Sequence, residues 1–156
     1  MGEKRSLLKE GIVFLCTWVT NKLGLLLPAI VLLMILMIID YISGMLAAKK
    51  EALEDLANCK YGWSSKKSLL GIYKKIGYML TVLVAVCIDY MIFKFSNELG
   101  LDYTSNTFFG LIVAIWFVIN EILSILENIG RMGTVLPDFL KKVLVELRKK
   151  LNDEDK

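Results

Sequence analysis

Four acids stand where an ionised group is least welcome. Asp40, Asp89, Glu121 and Glu127 fall within stretches of almost unbroken apolar character: Leu25 to Ile39 continuing to Ala48, Ile76 to Phe93, and Phe108 to Ile119 continuing to Ile129. A carboxylate in hydrocarbon costs a few kcal/mol, so acids in such places face protein or water rather than lipid. The chemistry they offer is charge pairing and hydrogen bonding inside a membrane.

Other chemistry is thinly represented. Histidine is absent, and the three cysteines, Cys16, Cys59 and Cys87, lie far apart, so neither metal-ligand spacing nor a Cys/His nucleophile pair is present. Cys16 and Cys87 sit in apolar surroundings and Cys59 in a basic loop, which reads as three unpaired, reduced thiols. No glycine-rich phosphate loop or Ser/His/Asp set occurs. The expectation is a protein that is not an enzyme, with no catalytic residues, no cofactor and no metal.

The elements that must carry the acids follow from length. A bilayer crossing needs about 20 residues at a rise of about 1.5 Å each, and each apolar stretch meets or nearly meets that. With 156 residues, 56% of them hydrophobic, little chain remains for a water-soluble domain. The sequence predicts an all-α integral membrane protein with a membrane domain over residues 24–130, its three spans at about 25–48, 71–93 and 108–129, flanked by amphipathic N- and C-terminal helices.

Residues 1–23 form the N-terminal segment. Lys4, Arg5 and Lys9 before the apolar Gly11 to Val19 superficially fit a secretory signal, but no small-residue cleavage site follows before the first span. Residues 6–23 read instead as an amphipathic helix with Leu8, Ile12, Leu15, Val19 and Leu23 on one face and Glu10, Thr17 and Asn21 on the other. Such a helix either lies on the membrane or packs against the spans.

Orientation is read from lysine and arginine. Residues 49–75 hold Lys49, Lys50, Lys60, Lys66, Lys67, Lys74 and Lys75, and the chain after the third span holds Arg131, Lys141, Lys142, Arg148, Lys149, Lys150 and Lys156. Both belong in the cytoplasm, and the loop with Lys94, Glu98 and Asp102 faces outward. Three spans then put the C-terminus inside and the N-terminus outside, at the expense of exporting Lys4, Arg5, Lys9 and Lys22. Asp40, Glu121 and Glu127 fall toward the inner side, where Lys74 and Lys75 enter the second span. At least one of these acids is expected to meet one of these lysines, whereas Asp89, nearer the outer end, has no obvious basic partner.

Each span also carries a stripe of small or polar residues. The first has Asp40, Gly44 and Ala48 with Ser43 and Ala47 beside them; the second has Gly77, Thr81, Ala85 and Asp89 at steps of four; the third has Asn120, Ser124 and Glu127 with Glu121 and Asn128 alongside. Helix association in lipid depends on such residues. The stripes are either packing surfaces within one molecule or, in an oligomer, surfaces facing water.

After Gly130 and Gly133 the chain restarts at Pro137, suited to a first helical turn. Residues 131–151 are expected to contain a basic amphipathic helix, with Leu136, Leu140, Val143, Leu144, Leu147 and Leu151 on one side and Lys141, Lys142, Arg148 and Lys149 elsewhere. It reads as an interfacial helix drawn to anionic lipid, or as one that self-associates through its leucines. Residues 152–156 read as a disordered tail. A net charge of +3, much of it next to the membrane, does not suggest nucleic-acid binding.

The ordered set Ile39-Asp40-Tyr41-Ile42-Ser43-Gly44-Met45-Leu46-Ala47-Ala48, Trp63-Ser64-Ser65-Lys66, Gly71-Ile72-Tyr73-Lys74-Lys75-Ile76, Asp89 and Asn120-Glu121-Ile122-Leu123-Ser124-Ile125-Leu126-Glu127-Asn128 resembles the phage holins of the toxin-secretion and phage-lysis group, over about Leu25 to Leu151. The resemblance implies a homo-oligomer in the bacterial cytoplasmic membrane that opens lesions at a set time. An endolysin or toxin would escape through them without necessarily touching the protein, and the host cell would lyse. Two other readings stay open: a small oligomeric ion channel, and a membrane anchor or adaptor without a pore, for which intramembrane acids have no evident use.

Overall fold

A computed structural model describes residues 23–54, 65–101 and 107–153. Among them are four helices and no strand: α1 (Leu26–Glu54), α2 (Ser65–Glu98), α3 (Phe108–Arg131) and α4 (Asp138–Asp153). The expected amphipathic helix over residues 6–23 falls almost entirely outside the described residues. The first three helices are long and apolar enough to cross a membrane. At about 1.5 Å per residue they run to roughly 44, 51 and 36 Å, more than a hydrocarbon core of about 30 Å requires.

That surplus explains where the helices outrun the expected spans. The apolar window sets what can lie in lipid, but a helix continues for as long as its residues favour it. In α1 the run Lys49-Lys50-Glu51-Ala52-Leu53-Glu54 consists of good helix formers, and Lys50 and Glu54 pair at 2.9 Å one turn apart. Pro28 is tolerated near the start of α1 because the first-turn amides lack intrahelical acceptors anyway. α2 begins before the expected 71 and ends after 93 for the same reason, with hydrophilic residues at both ends.

α2 and α3 stop in the same way. Gly100 (φ 70°) and Gly133 (φ 86°) take the left-handed conformation. The amides three residues past each helix's last residue bond back: Leu101 N–H to the Ser96 carbonyl at 2.9 Å, and Thr134 N–H to the Ile129 carbonyl at 3.3 Å. This satisfies carbonyls that a helix end leaves open. α4 starts directly after Pro137, whose carbonyl accepts from Leu140 and Lys141 N–H at 3.0 and 3.2 Å. It includes Asn152 and Asp153, a correction to the tail expected from residue 152, since a helix end frays over one or two residues rather than stopping at the last apolar one. Residues 154–156 lie outside the described part.

Contacts fall into two units, the described residues of Met1–Ile35 with Tyr73–Val118, and those of Leu36–Ile72 with Ile119–Lys156. In the first, Leu26, Leu33, Val82, Ala85, Ala114 and Asp89 are buried; in the second, Met37, Ala47, Ser43, Glu121 and Asn128. Outward-facing positions are apolar, among them Val31, Ile38, Leu83, Ile88, Ile112 and Ile115. A soluble core would bury such side chains, whereas a bilayer accepts them.

Candidate functional site

Two constellations of polar groups hold the spans to one another. In the first unit, Asp89 on α2 is fully buried at 0% exposure, and its carboxylate answers the open end of α3. Phe109 N–H donates to Oδ1 at 2.9 Å and Gly110 N–H to Oδ2 at 2.7 Å. The first amides of a helix have no intrahelical acceptor and carry the positive end of its dipole, so a carboxylate there satisfies both charge and hydrogen bonding.

The fit depends on Gly110. A Cβ at that position would stand 3.0 Å from Val86 Cγ2, 3.2 Å from Leu26 Cδ2 and 3.3 Å from Asp89 Oδ2. Thus α1, α2 and α3 meet at one glycine. Nearby, Tyr78 and Phe117 stack with ring centroids 4.0 Å apart and planes 18° from parallel, which adds a second α2–α3 contact.

In the second unit, Asn128 of α3 is buried and its amide is read from both sides. Nδ2 donates to Ser43 Oγ at 3.0 Å and to Asp40 Oδ1 at 3.1 Å, with the Asp40 carbonyl oxygen at 3.4 Å. Ser43 Oγ itself donates to the Asp40 carbonyl at 2.9 Å, leaving its lone pair free to accept from Asn128. On the other side Asn128 Oδ1 accepts from Arg131 Nη1 at 3.1 Å. Arginine has donors only, so the amide can point just one way.

Arg131 then closes the network with a two-pronged pair to Glu51: Nε to Oε1 and Nη2 to Oε2, both 2.8 Å. This is the geometry in which guanidinium and carboxylate match best. Lys50 Nζ donates to the Arg131 carbonyl at 3.5 Å and lies 2.9 Å from where a Cβ on Gly133 would stand. A cation thus sits at the negative end of the α3 dipole. α3 is held by an acid at its start and by a basic residue at its end.

Of the residues singled out in the sequence, Asp40 and Asn128 are joined directly, with Gly44 beside them, its Cβ position 3.5 Å from Asn128 Nδ2. Glu121 is buried; Asn120, Ser124 and Glu127 are half-buried on α3. The α2 stripe divides: Ala85 and Asp89 are buried, Thr81 is exposed with its Oγ donating to the Gly77 carbonyl at 2.9 Å, and the space around Gly77 is open. The Lys74 ammonium lies 5.7 Å from the Tyr78 ring centroid, and Lys75 is half-buried. Lys141 and Lys142 are exposed, Lys141 paired with Asp138 at 3.1 Å. Arg148 and Lys149 belong to α4.

Sequence reading missed the partner of Asp89 because that partner is backbone. The signal available was positional: an acid toward the outer end of α2 and a glycine at the start of α3. It also missed Arg131 and Glu51 as a pair: Arg131 stood only among the basic residues after the third span, and Glu51 was not singled out.

The chain matches the bacteriophage holin family over residues 17–149. It is similar to the uncharacterized protein CPE0383 of Clostridium perfringens, 32% identical over 145 residues that make up 93% of each chain. It is also similar to an uncharacterized 14.9 kDa protein in the nagH 3′ region of Clostridium perfringens, 30% identical over 92% of this chain and 94% of that one. A third relative is the uncharacterized protein Lmo0128 of Listeria monocytogenes, 36% identical over 75% of this chain and 70% of its own. No solved structure matches.

Proposed function

The chain belongs to the bacteriophage holin family, and on that premise we propose that it oligomerises in the bacterial cytoplasmic membrane and opens holes through which an endolysin or toxin leaves the cell. Orientation follows the charge distribution, with the C-terminus cytoplasmic and the N-terminus outside. The observation that carries the reading is how little of each span is covered within one chain. Only 22%, 17% and 22% of the apolar windows of α1, α2 and α3 are buried. Apolar side chains on all three helices are therefore left for lipid and for other copies.

Size supports assembly. A 100-residue domain has a radius of gyration of about 13 Å, so a hole that admits it has a circumference of roughly 100 Å, or about ten helices each about 10 Å across. Three spans per copy require several copies. Each must offer lipid an apolar face and water a polar one. Asp40, Asp89, Asn120, Glu121, Ser124 and Glu127 form the candidate second face, held in helix contacts at rest and turned to water on opening. The two arrangements are separately stable because a charge that loses its partner is costly in lipid and tolerable beside water.

The test is expression in a bacterial host with and without a cytoplasmic wall hydrolase lacking an export signal, following turbidity and membrane potential together. Abrupt lysis only when both proteins are present is the expected result. Depolarisation without release of the hydrolase would mean an ion-sized pore, and no effect on either would mean an anchor.

A further inference from the structure

The polar networks between the spans leave α4 unexplained. Its described part shows an apolar pair one turn apart, Phe139 and Val143, exposed at 66% and 44%, with Val145 exposed on the side of the lysines; Lys142 is exposed beside the pair, and Lys141 is exposed and paired with Asp138 at 3.1 Å. The helix carries five basic residues against three acidic ones, and one of the acids, Asp138, stands in the first turn, where it favours the helix itself. α4 is also held close to the end of a membrane span. Only six residues separate it from Arg131, a reach of about 20 Å even if fully extended. The turn is shorter than that in practice: Leu136 Cδ1 folds back to 3.6 Å from the Cβ position of Gly130, and the Lys50 ammonium lies against Gly133.

The geometry points to α4 as a binding surface for the anionic phospholipid headgroups of the leaflet next to the end of α3, with Phe139 and Val143 entering the acyl boundary and Lys141 and Lys142 meeting phosphate. Apolar side chains flanked by lysines, on a helix tethered at the membrane surface, are what an anionic interface binds. Pairing with α4 of a second copy is disfavoured by the same lysines, which would bring like charges together. The inference rests on the membrane reading of the three spans and is independent of hole formation.

The test uses the full chain with Cys16, Cys59 and Cys87 replaced by serine and Val143→Cys carrying an environment-sensitive fluorophore. It is reconstituted in bilayer discs of phosphatidylcholine alone or mixed with phosphatidylglycerol. The expected result is a blue shift in the anionic discs that weakens as salt is raised. Lys142→Gln should weaken docking about fivefold, from the roughly 1 kcal/mol that one basic residue gains near an anionic surface, and Lys141→Gln should weaken it less, because Asp138 already offsets that charge. Equal emission in the two lipids would overturn the proposal, as would a shift that follows the protein-to-lipid ratio, which would mean self-association. The same fluorophore at Val31→Cys, on the apolar face of α1, should report an apolar setting in both discs. A wet Val31 label would overturn the membrane reading and this inference with it.

Discussion

At the scale of single residues, an acid in a membrane is tolerable when its partners are built in, and Asp89 shows this most fully. Its two oxygens take the two amides that open α3. Asp89→Leu would leave both amides without acceptors, at about 1–3 kcal/mol for the buried Gly110 N–H and less for the part-buried Phe109 N–H. Asp89→Asn keeps one acceptor and turns an NH2 group toward the other amide, so it should fall between wild type and leucine. Thermal unfolding in detergent is the measurement: the order wild type, Asn, Leu supports the contact, and equal stability of wild type and Asp89→Leu would remove it. The sequence exposed Asp89 as anomalous because the surrounding residues are apolar, but its partners are peptide groups, which have no letter of their own. Asp40 and Asn128 were visible as polar positions; their pairing was not, because residues 88 apart can be matched only once helix rotation is fixed.

Among the described elements, α3 is held at both ends, by Asp89 at its first turn and by Asp40, Ser43, Lys50 and Glu51 around its last. A helix so held can be locked. Ser43→Cys with Asn128→Cys, at side chains that now meet through Oγ and Nδ2 at 3.0 Å, should form a disulfide in a chain lacking its native cysteines when the cells are treated with a membrane-permeant thiol oxidant that takes up the two electrons. Cross-linked cells should fail to lyse when the wall hydrolase is present, and a membrane-permeant reductant should restore lysis. Lysis on schedule with the disulfide intact would show that α1 and α3 need not separate there. The helices themselves were the most legible part of the chain. The apolar windows pointed to three long apolar helices, and Gly133 marked the end of the third. The extra turns of α1 and α2 were harder to see, because lysine and glutamate continue a helix as readily outside lipid as apolar residues do inside it.

In the whole molecule, few residues of each apolar window are buried within one chain, while Ser43, Asp89, Glu121 and Asn128 are buried. In the proposed assembly, lipid and neighbouring copies would cover the exposed apolar positions, and opening would turn the buried polar groups to water. Composition alone made the membrane placement plain, but the number of copies is a property of surfaces that one chain does not contain. The claim that polar α3 positions become water-lined is tested by a thiol at Ser124, half-buried in the resting chain. In a variant without native cysteines, Ser124→Cys is treated with a membrane-impermeant maleimide added outside the cells, before and after the onset of lysis. Little modification before and rapid modification after is the predicted result. A thiol that stays unmodified while the hydrolase escapes would contradict it.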